Sequence, residues 1–305
     1  LVEGMEAGGT LRASLAGQWG MGPVVVAGGG GDNAASACGM GTVAPGAAFV
    51  SIGTSGVLFA ANGSYLPNPA SAVHTFCHAL PDAWHQMGVI LSATDSLNWL
   101  SSITGKDAGA LADELGGDLR APTAATFLPY LSGERTPHND AVIRGAFTGL
   151  GHESDRKALT QAVLEGVACQ NRLVLERAEG ALGNRVNEIR FGGGAAANPV
   201  WAQVKADICG RPIAVGTARE PGLLGAAIIA WTGLGRFASL EAAQGTLVSI
   251  ARRYEPDPAR RPAYNALYAL YRQSEAALAP ISADLVALAQ DTAALPGLAN
   301  RESAT

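Results

Sequence analysis

Residues 23–59 read PVVVAGGGGDNAASACGMGTVAPGAAFVSIGTSGVLF. The apolar run Val24 to Ala27 predicts a buried strand, and it ends in four glycines where the backbone can turn sharply or lie close to a ligand. Asp32 and Asn33 follow at once. Behind them Ala34, Ala35, Ala37, Cys38 and Met40 have helix-forming character, so Asp32 is expected at or next to a helix N-terminus. The helix dipole and free backbone N–H groups there favour a charged carboxylate, which is what a general base needs to take a proton from an alcohol. A simple N-cap is the competing reading of Asp32. The second half of the stretch weighs against it. Phe49 to Ile52, then Gly53-Thr54-Ser55-Gly56, then Val57 to Phe59 predict two strands joined by a turn of small residues. Such a turn can offer several N–H groups and two hydroxyls to a phosphate. A carboxylate base and a phosphate-cradling turn in one short stretch are the minimum equipment for moving a phosphoryl group onto a hydroxyl.

With these residues in view, GGGGDNAASACGMG and SIGTSGVLFA resemble the middle of a carbohydrate kinase of the FGGY family. The likeness continues through SAVHTFCHALPDAWHQMGVILSATDSLNWL, FLPYLSGERTPHNDAVIRGAFTGL, LTQAVLEGV and FGGGAAANPVWAQVKADICGRPI, and covers nearly everything from Leu1 to about Tyr271. It implies an α/β fold with a ribonuclease H-like domain of the actin and hexokinase ATPase type. It also implies ATP and Mg²⁺ as cofactors, a small sugar as the other substrate, a cytoplasmic enzyme and, from relatives, a homodimer. Asp32 would be the catalytic base and Asn33 a second sugar contact. Gly53, Thr54 and Ser55 would grip phosphates, and Gly193, Gly194 and Asn198 the adenine nucleotide. The acceptor it implies is D-xylulose, with ribulose, glycerol or gluconate as alternatives within the family. A non-catalytic sugar or nucleotide sensor of the same fold is the alternative outside it, and the intact Asp32-Asn33 pair argues against that.

The resemblance also sets an expectation about extent. Residues 1–45 correspond to the last part of a first domain, residues 46–292 to a complete, nucleotide-binding second domain, and residues 293–305 to a flexible tail. The family's first phosphate motif, an Asp-Gly-Thr hairpin near the N-terminus, does not occur here, so the 305 residues alone are expected to bind nucleotide weakly and to turn over little or nothing.

Composition sets the outer bounds. With 48% hydrophobic residues in 305 the chain can bury a sizeable core, and a net charge of -5 gives no basic surface for nucleic acid or an anionic membrane. The strongest apolar run, Leu223 to Trp231, is too short to cross a bilayer. Cys38, Cys77, Cys169 and Cys209 lie far apart without a C-x-x-C pair, which fits reduced thiols better than disulfides or zinc.

Pattern predicts further strands within 73–91 and at 186–191 and 213–215, and helices over 92–103, 107–115, 155–179, 198–208 and 222–231, the last one buried. Residues 132–150 carry too many Gly, Pro and polar residues for regular structure and are expected to form a long functional loop. Gly192-Gly193-Gly194-Ala195 between a strand and a helix does not fit the G-x-G-x-x-G spacing of a dinucleotide fold. His74 and His78 have H-x-x-x-H spacing, but on one strand they would stand about 13 Å apart, too far to share an ion. No protein metal cage is expected. Gly145, Phe147, Gly149, Leu150, Leu159, Ala162 and Glu165 match the family's signature, while Glu134 and Arg135 read equally well as a loop anchor or a substrate contact.

Overall fold

The computed structural model describes residues 1–116, 121–183 and 185–293. Most of the expected tail, residues 294–305, lies outside them. The chain opens with β1 (Ala7–Thr10), α1 (Ala13–Gln18) and β2 (Val25–Ala27), and β1 and β2 pair as a small antiparallel ribbon. The sequence signalled β2 as a strand but not β1, whose Ala-Gly-Gly-Thr has no strand pattern of its own. The expected burial of β2 is corrected: Val25 and Val26 are 42% and 49% exposed, because β2 pairs only with β1 and lies outside the main sheet. Then come α2 (Asp32–Met40), β3 (Ala48–Ile52), β4 (Gly56–Asn62), β5 (His74–Cys77), β6 (Trp84–Ile90), α3 (Thr94–Thr104) and α4 (Ala108–Asp113). β7 (Thr126–Leu128), β8 (Ala146–Thr148), α5 (Arg156–Leu182), β9 (Ile189–Gly192), α6 (Pro199–Cys209) and β10 (Ile213–Gly216) follow. The described chain ends with α7 (Pro221–Gly233), α8 (Leu240–Leu247), β11 (Ile250–Tyr254) and α9 (Arg261–Ala293).

Seven of the strands form one sheet in the order β11-β10-β9-β3-β4-β6-β5. β3, β4 and β6 run antiparallel, β9 lies parallel to β3 and β10 parallel to β9. This is the arrangement expected of a ribonuclease H-like ATPase domain. Strand alternation assigns the two faces. Ala48, Val50, Ile52, Leu58 and Ala60 join Val163, Val167 and Val174 of α5 in the main core, whereas Phe49, Phe59 and Ala61 meet Ala37 and Met40 of α2 on the other face. α2 and α7 then pack together through Ala34, Ala35, Cys38, Ile228 and Ile229. The segment that carries Asp32 is therefore fastened both to the sheet and to α7.

Two further sequence expectations are corrected. Residues 132–150 are not wholly irregular, because Ala146–Thr148 pairs with Thr126–Leu128; a three-residue strand shows no period and is defined only by its partner. α7 is not buried all round, since Leu223 and Trp231 are 73% and 42% exposed. Its apolar residues face every direction, so periodicity could not say which side packs.

Glu165 sits fully buried in the middle of α5. Its Oε1 accepts from Gln161 Nε2 at 2.8 Å and from Tyr264 Oη at 3.4 Å, and its Oε2 accepts from Thr123 Oγ1 at 3.1 Å. Burial pushes this carboxyl up to about 7, against the opposing pull of the hydrogen bonds from Gln161 and Thr123. In the unfolded chain it titrates at about 4.3. The folded state therefore binds the proton more tightly, and the stability this confers is fully present below about pH 4.3 and lost as the pH rises through 7. Glu165→Gln should retain the shape and flatten this dependence. The thermal midpoint of the wild type should fall relative to the variant between pH 5 and pH 8, and parallel curves would refute the assignment.

Candidate active site

α2 begins with Asp32 in its first turn, after Gly31 at the N-cap, and no side chain caps it. The carboxylate is exposed, not turned into the interior. Its Oδ1 accepts from the Asn33 amide at 2.8 Å and from Asn33 Nδ2 at 3.1 Å, which fixes the orientation of the group. The Asp-Asn pair thus acts as one unit at the mouth of the glycine loop.

The turn at Gly53 to Ser55 joins β3 to β4 as the sequence implied. The Gly53 amide donates to the Ser55 carbonyl at 2.9 Å. The Gly53 carbonyl accepts from Thr94 N at 3.0 Å, and the Thr54 carbonyl from Ala93 N at 2.9 Å and Asp95 N at 3.3 Å. The acceptors of the turn are thus spent on the start of α3. Among the described residues the amides of Thr54 and Ser55 donate to no backbone acceptor, and both residues are exposed. That leaves a small, donor-rich surface suited to an anion.

Between the C-terminal end of the sheet and the start of α7 lies a cleft of about 720 Å³, walled by Ser36, Ser51, Gly193, Gly194, Thr217 and Glu220 among others. Ser36 is one helical turn beyond Asp32 on the same side of α2, and Ser51 is two residues before Gly53 on β3. The cleft therefore leads from the neighbourhood of Asp32 and the turn at 53–55, past the glycines after β9, to the loop before α7. Gly193 adopts φ 81° and ψ 176°, a region essentially restricted to glycine, and a Cβ there would collide with the Ile52 carbonyl at the end of β3.

The structure sorts the predicted site residues unevenly. Gly193 and Gly194 line the cleft, whereas Asp32, Asn33, Gly53, Thr54 and Ser55 lie outside its walls. Asn198 does not line it either; its Oδ1 accepts from Trp201 N at 2.9 Å and caps α6, so that oxygen is committed to the helix. Glu134 resolves as a loop anchor, with Oε1 accepting from Leu91 N at 3.0 Å and Arg135 N at 2.7 Å while the residue is only 2% exposed. Sequence reasoning missed Ser36, Ser51 and the 217–220 loop. Ser36 had a signal, its i+4 spacing from Asp32; the loop had none, because only the pairing of β10 with β9 brings it to the glycines.

Among the described residues no group of three His, Cys, Asp or Glu side chains could hold a metal, and no helix is long and apolar enough to cross a membrane. The oxygens near the cleft, the Asp32 carboxylate and the hydroxyls of Ser36, Ser51, Thr54 and Ser55, are of the hard type that suits Mg²⁺ accompanying a nucleotide.

Comparison with known proteins agrees with this fold. Residues 48–234 match the C-terminal domain of the FGGY family of carbohydrate kinases. The chain is 43% identical over 238 residues to the xylulose kinase of Escherichia coli strain K12, covering 75% of this chain and 48% of that protein. A glycerol kinase of Geobacter sp. strain M21 is 34% identical over 265 residues, covering 85% of this chain and 52% of that protein. Among solved structures, a xyloylose kinase from Brucella ovis superimposes with a TM-score of 0.85 at 51% identity, covering 92% of this chain and 58% of that one. The chain thus spans about half the length of the relatives it matches. With a ribonuclease H-like sheet, a carboxylate at a helix N-terminus and the matched domain all in place, the chain belongs to the FGGY family of carbohydrate kinases.

Proposed function

We propose that this chain is the C-terminal, nucleotide-binding part of a cytoplasmic kinase that transfers the terminal phosphoryl group of ATP to a hydroxyl of D-xylulose. The reading is carried by one observation: Asp32, exposed at the start of α2, stands one turn from Ser36, which shares a glycine-walled cleft with Ser51 and Gly193. In this reading Asp32 takes the proton from the acceptor hydroxyl as that oxygen attacks phosphorus. Asn33, whose side-chain amide donates to the carboxylate, would hold a neighbouring sugar hydroxyl. The free amides of Thr54 and Ser55 bind phosphate oxygens, and Gly193 and Gly194 allow the nucleotide to lie against bare backbone. Mg²⁺, bound mainly through the phosphates, would offset their charge. We further propose that residues 1–45 and 46–292 belong to two domains of the whole enzyme, and that the 305 residues alone bind nucleotide weakly without turnover.

A panel of D-xylulose, D-ribulose, glycerol and gluconate, assayed with the whole enzyme by coupled ADP release, tests the reading. D-xylulose should give the highest kcat/KM. Preference for glycerol would move the assignment toward the glycerol kinase relative, and no ADP release with any of the four would favour a sensor.

A further inference from the structure

The glycine loop in front of Asp32 is not held by its own residues alone. The hairpin between β5 and β6 turns at residues 78–83, and this tip reaches across to the loop. A Cβ built on Gly30 would lie 2.9 Å from the methyl carbon of Ala79, and one on Gly4 would lie 2.8 Å from the Ala79 carbonyl oxygen. Ala79 is 5% exposed and belongs to the cluster that contains Ala34 of α2 and Ile229 of α7. Only glycine hydrogens separate it from the segment that delivers Asp32.

The tip is in turn fixed to the strands that form the phosphate turn. His78 N donates to the Ala83 carbonyl at 2.9 Å, and its Nδ1 accepts from Ala79 N at 2.8 Å. The His78 ring stands edge-on to Phe59, with centroids 5.5 Å apart and planes at 82°, and Phe59 stacks on Phe49 at 4.8 Å. Phe49 lies on β3 and Phe59 on β4, the two strands that carry the turn at 53–55. One uninterrupted set of contacts therefore runs from the phosphate turn through Phe59, His78 and Ala79 to Gly30, two residues before the base.

We propose that Ala79 is a positioning residue, a stop that sets the distance of Asp32 from the phosphate turn through the contact of its methyl group with Gly30. The inference rests on the reading of Asp32 as the base. Phosphoryl transfer needs the accepting carboxylate held within a few tenths of an ångström, and a displacement of about 1 Å costs about a hundredfold in rate. Burial of nucleotide in the cleft does not depend on this contact, since none of its walls includes residues 78–83.

The contact can be rebuilt from either side, which supplies the test in the whole enzyme. Gly30→Ala adds a methyl where one already stands and should lower kcat about a hundredfold. Ala79→Gly removes the stop without a collision and should lower kcat about tenfold. The double variant Gly30→Ala/Ala79→Gly moves the methyl across the contact, where its next neighbour is Ile229 Cδ1 at 3.7 Å, and should return kcat to within about threefold of wild type. KM for ATP should stay within about twofold throughout, and thermal midpoints within about 3 °C. Wild-type kcat in both single variants, failure of the double variant to recover, or activity that follows the thermal midpoint would each overturn the proposal. Asp32→Asn, run alongside, separates this failure from failure of the base assignment. An inactive Asp32→Asn with silent Gly30 and Ala79 variants sinks only the stop; an active Asp32→Asn sinks both.

Discussion

Asp32→Asn in the whole enzyme should lower kcat for sugar phosphorylation by about three to four orders of magnitude, the upper range for loss of a positioned general base. The substitution is nearly isosteric. An Asn at 32 can still accept from the Asn33 amide through its carbonyl oxygen, so the start of α2 should retain its geometry. What disappears is the capacity to take a proton. The walls of the cleft are unchanged, so KM and Kd for ATP should stay within about twofold of wild type. Steady-state kinetics together with nucleotide titration decides the matter, and a variant that keeps most of its kcat removes Asp32 from the mechanism.

Gly193→Ala should have the second largest effect, on binding instead of turnover. The backbone at this position costs about 1–3 kcal/mol for a residue with a Cβ, and the added carbon would run into the Ile52 carbonyl. Neither partner yields easily, because Ile52 closes the β3–β4 ladder just before the turn at 53–55. The loop must shift and carry Gly194 with it. At about 1.4 kcal/mol per factor of ten, nucleotide affinity should weaken between about 5-fold and about 140-fold. A fluorescent ATP analogue titrated against both proteins measures it, and equal affinities would show that the loop is not part of the nucleotide site.

Much of the local architecture was legible in the chain. The aromatic and β-branched run Phe49 to Ile52 marked β3, the small residues after it marked the turn, and Gly28 to Asn33 marked the strand-to-helix junction that presents the carboxylate. The helices of α5 and α6 were found with their ends displaced by a few residues. Asn198 shows the limit of such reading. In a chain, an Asn just after a run of glycines reads as a nucleotide ligand; in the structure its side-chain Oδ1 accepts from Trp201 N and caps α6. β1 and β8 were illegible for a different reason. Each is three or four residues long and exists because a distant segment offers it a ladder.

Residue order alone determined the identity of the chemical groups and their immediate setting: a carboxylate at a helix start, a turn without bulky side chains, and glycines after a strand. Those follow from φ/ψ preferences and side-chain size, which act over a few residues. Only the tertiary structure decided that the glycines after β9 line one cleft with Ser36, Ser51 and the 217–220 loop, and that Ala79 abuts the glycine loop in front of Asp32. Those placements depend on parallel pairing of β9 with β3 and on burial of α2 between the sheet and α7, interactions between segments far apart in the chain that no local pattern encodes.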